Sequence, residues 1–379
     1  MSKGSHIRSV EGIPLRLPFA RSFTMAAPHQ AVRNEVELFV VCITTEDGVT
    51  GIGETQAWRR QGSGETLAGL HAKLRDHAAP LLLGKPCSEI SSLMHALDKQ
   101  LAGGLYLQAA VGDALYDVKA RTLNRPLYDL LGGMCRNRID VGIALGITGD
   151  SPAMLDAAQR AVEQGYRHLR VKIGLDPIQD FEDLAALRKH FDNRITLRAD
   201  ANGAMSYGDA LRLLAKLEAL DLDIVEQPLA AWDLDGMAAL ARAVRIPISA
   251  DESLTDSHAL LEIARRGAAR IVQTKSAKNG GIHAIRGLWD MAAALGIGIF
   301  PGNHPSTSLN VAAVAHLAAA WPGSLLVGDF QTGLVDMIAE DIVQESVRIE
   351  QGQVIVPDGP GLGICLDTDK VNRYRLDKQ

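Results

Sequence analysis

The stretch between residues 170 and 281 reads Arg170-Val171-Lys172, Arg198-Ala199-Asp200-Ala201-Asn202-Gly203, Val225-Glu226-Gln227-Pro228, Ala250-Asp251-Glu252-Ser253 and Lys275 ahead of Gly280-Gly281. Each run follows a candidate strand of about five residues and precedes an amphipathic helical pattern, which is typical of βα units around a parallel sheet. Repeating that unit closes a (β/α)8 barrel, in which the carboxyl ends of all strands meet at one mouth. We therefore expect three acids to face two lysines around one ligand.

The spacing of the acids indicates a metal site. Glu226 follows Asp200 by 26 residues and Asp251 follows Glu226 by 25, which is about one βα unit each time. Three clustered carboxylates cannot all stay ionised without a cation, and an all-oxygen site without His or Cys suits a hard ion such as Mg2+. The alternative for any one acid is that it caps the following helix.

The order Lys172, Asp200, Glu226, Asp251, Lys275 resembles the enolase superfamily. The lysine pair narrows the resemblance to the mandelate racemase/muconate lactonizing enzyme family, in the branch of muconate cycloisomerases, N-acylamino acid racemases and dipeptide epimerases. Residues 47–54 (Asp-Gly-Val-Thr-Gly-Ile-Gly-Glu), 114–117 and 131–133 extend the resemblance over nearly the whole chain. It implies that the three acids bind Mg2+, that the two lysines are catalytic, and that the protein forms symmetric oligomers.

The predicted fold is α/β, with a (β/α)8-type (TIM-like) barrel and an N-terminal α+β capping domain that the C-terminal tail completes. We expect the cap in residues 1–132, the barrel in 133–337, and a segment returning to the cap in 338–379. Alternating residues predict cap strands at 9–17 and 35–45, a third strand ending near Glu54, and helices between 66 and 131. Residues 139–147 read as the first barrel strand, and 347–349 and 354–356 as short strands of the tail.

Composition limits the function. The 379 residues exceed one average domain, and the formal net charge of −6 gives no indication of nucleic acid or an anionic membrane as a partner. The 4 cysteines include no close-spaced pair, which argues against a disulfide framework or a zinc site. Because the first residues lack a signal-peptide core and no run approaches about 20 apolar residues, we expect a cytoplasmic protein.

Two segments of the cap read as mobile loops. Residues 19–34 contain Arg33, and residues 58–64 begin with Trp58 and are basic and rich in glycine. In the family that this chain resembles, the corresponding loops fold over the barrel mouth and select the substrate. We therefore assign Arg33 and Trp58 to substrate binding, with ordinary surface charge as the alternative for the arginine.

The chain departs from its relatives beside the first lysine. Many relatives have Lys-x-Lys at the end of strand two, where this chain has Arg170 two residues before Lys172. Arginine keeps its charge but does not lose a proton at ordinary pH, so we expect Arg170 to tune Lys172 without reacting. We place Asn202 with Arg170 as an auxiliary residue.

Two further polar residues follow strands seven and eight. His304 is expected to donate a proton to a leaving group or a hydrogen bond to the substrate, with a structural loop histidine as the alternative. Asp329 is expected to hold a substrate ammonium or to donate a proton, with a helix cap as the alternative.

The predicted chemistry is Mg2+-dependent removal of the proton α to a carboxylate through an enediolate. Lys172 and Lys275 would come from strands two and six, which are nearly opposite in a closed barrel, and that geometry suits transfer of a proton from one face of a carbon to the other. We expect a racemase or epimerase of an amino-acid derivative, or a cycloisomerase, acting on a small carboxylate. The alternatives are a dehydratase of a hydroxy or sugar acid and a catalytically silent ligand-binding barrel.

Overall fold

The computed structural model describes residues 5–26, 31–57, 64–331, 333–335 and 337–378. Within these residues no helix has the length and apolar character needed to cross a membrane.

The N-terminal part is an antiparallel sheet covered by helices. Strands β1 (Ile7–Met25), β2 (Ala31–Thr45) and β3 (Thr50–Gln56) pair in that order. They are followed by α1 (Leu67–Lys73), a π-helical turn (Leu74–Ala78), α2 (Ala79–Leu82), α3 (Ile90–Leu101), α4 (Leu105–Thr122) and α5 (Leu127–Leu130). The predicted loop at 19–34 was wrong at both ends, because β1 continues to Met25, β2 begins at Ala31, and the two strands pair there beyond a register shift.

Alternation along β2 places its two faces in different cores. Leu38 and Val40 pack in the large cluster that includes the barrel, whereas Phe39 and Val41 pack against the cap helices. On β3, a Cβ atom at Gly53 would lie 2.1 Å from the backbone oxygen of Ala110 in α4. Only glycine therefore lets this strand approach the helix so closely, which explains the Gly-Ile-Gly motif before Glu54.

The barrel contains the predicted alternation of strands and helices. After β4 (Arg138–Asp140), the barrel strands are β5 (Ile143–Leu145), β6 (His168–Lys172), β7 (Thr196–Asp200), β8 (Ile224–Glu226), β9 (Ile248–Ala250), β10 (Ile271–Lys275) and β11 (Gly298–Gly302). The helices between and after them are α6 (Ser151–Glu163), α7 (Pro177–Phe191), α8 (Tyr207–Leu217), α9 (Leu234–Ala243), α10 (Ser257–Arg266), α11 (Gly281–Ala294) and α12 (Ser308–Ala320). All neighbouring strands from β5 to β11 are parallel.

An extended segment closes the sheet between its two edges. The Leu326 amide donates to Ile299 of β11 at 2.8 Å, and Gly328 forms a parallel bridge with Val141 at the entrance of β5. This segment occupies the eighth position around the barrel, so the predicted barrel with an N-terminal cap is confirmed.

The first barrel strand is shorter than predicted. Within 139–147, only Ile143–Leu145 belongs to the barrel, because Arg138–Asp140 forms β4 of a separate antiparallel sheet. Its partner there is β13 (Gln353–Ile355), which also pairs with β12 (Ile349–Glu350).

The tail ends against the cap. Helix α13 (Thr368–Tyr374) is followed by Arg375, which bridges to Leu15 of β1 and forms a 2.8 Å ion pair with Glu11. Of the predicted short tail strands, β13 pairs with β4 and β12 pairs with β13. The start of the tail also contacts the cap sheet, because the Ala339 amide donates to the Pro18 carbonyl of β1 at 3.0 Å. The division of the chain at residues 132 and 337 stays a prediction.

Buried carboxylates join the cap to the barrel and the tail. Asp117 of α4 accepts hydrogen bonds from the backbone amides of Ile52 at 2.8 Å and Leu362 at 2.7 Å. Glu54 of β3 accepts from the amide and hydroxyl of Thr307, the residue that caps α12. Burial raises the pKa of Glu54 to about 8. The cap is thus fixed to the barrel by polar contacts that local sequence patterns did not indicate.

Candidate active site

Five charged side chains lie at the carboxyl ends of five consecutive barrel strands. Lys172, Asp200, Glu226 and Lys275 are the last residues of β6, β7, β8 and β10, and Asp251 follows β9 directly. Lys172 is in register with Asp200, which is in register with Glu226. All five side chains are buried. The structure thus brings together the residues that the spacing along the chain had suggested.

The two lysines face each other across this group. Three strands, β7 to β9, separate β6 from β10 on one side, and β11, the closing segment and β5 separate them on the other. Lys172 Nζ lies 2.5 Å from Asp200 Oδ2 and donates to Asn202 Oδ1 at 2.9 Å. Lys275 Nζ donates to Asp251 Oδ2. The carboxylates therefore lie between two amino groups that come from opposite walls.

Arg170 binds the acids from within the barrel. Its Nη1 donates to both carboxylate oxygens of Glu226, at 2.8 and 3.0 Å, and lies 3.2 Å from Asp200 Oδ2. Its Nη2 lies 2.5 Å from Asp329 Oδ2. Arg170 is thus the centre of a buried ion network. Asp329, predicted to meet the substrate, is engaged by Arg170, which favours a role in holding the arginine.

Burial and neighbouring charges both shift the pKa values of these groups. Although burial alone would raise it, the pKa of Asp200 is lowered by Lys172 and Arg170. Burial also opposes the shift at Lys275, whose pKa is raised because Asp251 favours the charged amine. The pKa of Glu252 is raised to about 7 by burial and by the neighbouring carboxylates. In this state both lysines serve as counter-ions to acids.

The acids have the chemistry of a divalent metal site. Among the residues that the structure describes, no three His, Cys, Asp or Glu side chains lie close enough together to hold a metal ion. The three acids are instead paired with Lys172, Arg170 and Lys275. Burial and repulsion by Asp200 and Asp251 nevertheless raise the pKa of Glu226 well above its usual value. A cation among the three would relieve that repulsion, and an all-oxygen donor set fits Mg2+.

Several site residues were missed by sequence reasoning. Lys278 Nζ lies 3.4 Å from Asp251 Oδ1, and Glu252 accepts from the Asn202 amide at 3.0 Å. Gln273, with its amide oriented to suit its neighbours, donates to Glu226 Oε1 at 2.6 Å and to Asp251 Oδ2 at 3.0 Å. Gln273 precedes Lys275 by two residues, so the period of a strand would have identified it.

Of the remaining predicted residues, His304 packs against the cap. His304 is buried, and its ring stacks on Tyr106 of α4 with the centroids 6.2 Å apart. The pKa of Asp251 is lowered although burial acts against this shift. Lys275 and Lys278 have the larger lowering effects, and His304 adds to them. Trp58 and the side chain of Arg33 lie outside the described residues, so their assignment to substrate binding stays a prediction.

The chain matches two descriptions of protein families. Residues 153–370 match "Enolase C-terminal domain-like", and residues 12–132 match "Mandelate racemase / muconate lactonizing enzyme, N-terminal domain".

Curated relatives match over nearly their whole length. The chain is 32% identical to muconate cycloisomerase 1 of Rhodococcus opacus over 376 residues, which is 97% of this chain and 98% of the relative. It is 33% identical to the N-succinylamino acid racemase of Thermus thermophilus over 378 residues, covering 99% of this chain and 97% of the relative.

Solved structures agree with these matches. Muconate lactonizing enzyme from Pseudomonas fluorescens, in complex with muconolactone, superimposes with a TM-score of 0.93 at 28% identity, covering 98% of this chain and 100% of that one. N-succinyl Arg/Lys racemase from Bacillus cereus superimposes with a TM-score of 0.92 at 25% identity, covering 98% of each chain. Both activities therefore occur on this fold.

Proposed function

Because the chain belongs to the mandelate racemase/muconate lactonizing enzyme family of the enolase superfamily, we propose that it is an isomerase that removes and returns the proton α to a substrate carboxylate. The substrate class that we propose is N-acylated amino acids, with racemisation or epimerisation as the reaction.

The proposal rests on the opposition of Lys172 and Lys275. Their amino groups come from strands on opposite sides of the barrel and approach the same group of acids. A substrate whose carboxylate is held at those acids would present one face of its α-carbon to each amine. A pair of bases on opposite faces is what inversion at a carbon requires.

Members of the superfamily typically use a divalent metal ion, and we propose that Asp200, Glu226 and Asp251 hold Mg2+. When bound, the ion would stabilise the negative charge that develops on the substrate carboxylate as the α-proton leaves.

The two lysines would transfer the proton. The neutral amine of one lysine takes the α-proton and becomes an ammonium, and the ammonium of the other gives a proton to the opposite face and becomes neutral. The substrate is thereby inverted without any net change in atoms. Asn202, which accepts from Lys172 Nζ at 2.9 Å, would orient that amine. Arg170 stays charged at ordinary pH and is not a base, so its part is to hold Glu226.

Cycloisomerisation is the second candidate, and the match over 97% of the chain to muconate cycloisomerase 1 favours it. In that reaction a carboxylate oxygen adds to a carbon–carbon double bond of the same substrate, and one lysine ammonium gives a proton to the carbon that becomes anionic.

A dehydratase would need His304 or Asp329 as the acid for the departing hydroxyl. Because Asp329 is held by Arg170, it is not available as that acid.

Incubation in D2O with Mg2+ tests the proposal. Single enantiomers of N-succinyl and N-acetyl amino acids should exchange the α-proton for deuterium, as seen by proton NMR, and should interconvert on a chiral column. Muconate should be assayed in parallel by its ultraviolet absorbance. Exchange of the acyl amino acids supports the racemase. Conversion of muconate alone would assign the cycloisomerase, and binding without exchange or conversion would contradict both.

A further inference from the structure

Tyr106 is a buried polar residue that the proposed reaction does not use. It is the second residue of α4, in the cap, and its side chain is 0% exposed. In the described part of the chain its hydroxyl has no hydrogen-bond partner. A buried hydroxyl without a partner is unfavourable, so such groups are normally satisfied by water, an ion or a ligand.

The surroundings of Tyr106 place it at the barrel mouth. Its ring stacks on that of His304 at an interplanar angle of 16°. After burial, the groups that shift the pKa of its hydroxyl are Lys275, Asp251, Glu65 and Glu252. Three of these belong to the mouth described above, and Glu65 directly follows the segment that contains Trp58. The phenol therefore lies beside His304, at the mouth that holds the reacting groups.

The direction of the shift gives the phenol one chemical role. Burial raises the pKa of Tyr106 far above neutral pH, so the hydroxyl stays protonated and can donate. It is also fixed in position, because a stacked and fully buried ring has little freedom to turn away. A fixed, dry donor recognises an oxygen acceptor and discriminates against an analogue that lacks one, since the donor is then left without a partner.

We propose that the Tyr106 hydroxyl donates a hydrogen bond to a second oxygen function of the substrate, a carbonyl or a carboxylate remote from the reacting carboxylate, and thereby selects acylated or dicarboxylic substrates. The inference rests on the proposed function, which places the reacting carboxylate at the three acids. Tyr106 is then a specificity-determining residue contributed by the cap.

The test compares Tyr106→Phe with a control on the same helix. Tyr106→Phe removes only the oxygen and keeps the ring against His304. Tyr116→Phe is the matched control, because the Tyr116 hydroxyl bonds His283 Nδ1 at 3.3 Å and not a mouth residue. Calorimetry in Mg2+ gives the dissociation constants of three probes: N-succinylphenylalanine, N-acetylphenylalanine and 3-phenylpropanoate, which has no acyl group. Thermal unfolding of each variant checks that it is folded.

If the Tyr106 hydroxyl bonds a distal carboxylate, Tyr106→Phe should weaken the binding of N-succinylphenylalanine alone, by about 10- to 100-fold. If it bonds the acyl carbonyl, Tyr106→Phe should weaken the binding of both acyl probes by about 3- to 10-fold. In either case 3-phenylpropanoate and all three probes with Tyr116→Phe should be unchanged.

Equal weakening of all three probes would overturn the inference by showing a merely structural effect. No weakening, or a wild-type enzyme that does not prefer the acyl probes, would overturn it as well. These outcomes differ from failure of the proposed function, which would appear as absent α-proton exchange in the wild-type enzyme.

Discussion

Replacing Arg170 by methionine should destabilise the metal-free protein strongly. The guanidinium is held at 2.8 and 3.0 Å from the oxygens of Glu226 and at 2.5 Å from Asp329, and the side chains of all three residues are at most 5% exposed. Methionine fills similar volume but leaves two buried carboxylates without their main cation. Removing one partner from a buried ion network costs about 3–5 kcal/mol, and we expect a loss in that range at pH 8 in EDTA.

The pH dependence of this loss follows from Glu226. Burial and the other carboxylates already raise the pKa of Glu226, and Arg170 is the first charge opposing that shift. Its removal raises the pKa further, so the folded protein binds a proton more tightly than the unfolded chain does. Stability contributed by a raised carboxyl pKa is lost as pH rises. The difference in unfolding free energy between wild type and Arg170→Met should therefore be smaller at pH 6 than at pH 8.

Urea unfolding at fixed protein concentration, followed by circular dichroism, measures the loss. Arg212→Met is the control, because its side chain is 73% exposed and an exposed ion pair contributes only about 0–1 kcal/mol. Added Mg2+ should narrow the gap, since the ion restores positive charge beside Glu226. A variant within about 1 kcal/mol of wild type in EDTA, or a gap that Mg2+ and pH leave unchanged, would refute the buried network as described.

Four further outcomes are expected. Asp200→Asn, Glu226→Gln and Asp251→Asn should each weaken Mg2+ binding by calorimetry and abolish turnover with an unchanged circular dichroism spectrum; full activity after chelation and metal add-back would remove that residue from the ligand set. As pH rises from about 4.5 to about 8, Glu54→Gln should lose less stability than wild type, because the pKa of Glu54 is raised to about 8 and its ionisation opposes folding over that range. Unfolding free energies from urea titrations that change equally with pH in the two proteins would contradict this. Asp117→Ala should lower the free energy of unfolding by about 3–5 kcal/mol, and a loss below about 1 kcal/mol would show that its buried contacts contribute little. Sedimentation should show a closed oligomer, and only a monomer of 40.6 kDa would count against it.

The barrel could be predicted because its signals are local and repeated. Each βα unit has its own strand, polar strand end and amphipathic helix, so the order of elements follows from the sequence. The division of residues 139–147 could not be predicted in this way. Arg138–Asp140 leaves the barrel sheet to pair with Gln353–Ile355, and no pattern near residue 139 indicates a partner more than two hundred residues away.

The site was predictable in position but not in its contacts. Strand ends converge whatever the side chains, so Lys172 and Lys275 had to approach the acids. Which cation each acid binds depends on distances that only the folded chain sets. Asp329, for example, faces Arg170 from the closing segment. Tyr106 was overlooked because its helix is buried almost throughout and gives no local sign of a polar role.

The most direct test of the two-lysine account follows each enantiomer of the substrate separately in D2O with Mg2+. Lys172→Ala and Lys275→Ala should both lose racemisation, because each removes the base on one face of the α-carbon. Each variant should still exchange the α-proton of one enantiomer, and the two variants should exchange opposite enantiomers. If Lys275→Ala interconverts both enantiomers at the wild-type rate, the two lysines do not act on opposite faces and the account is contradicted.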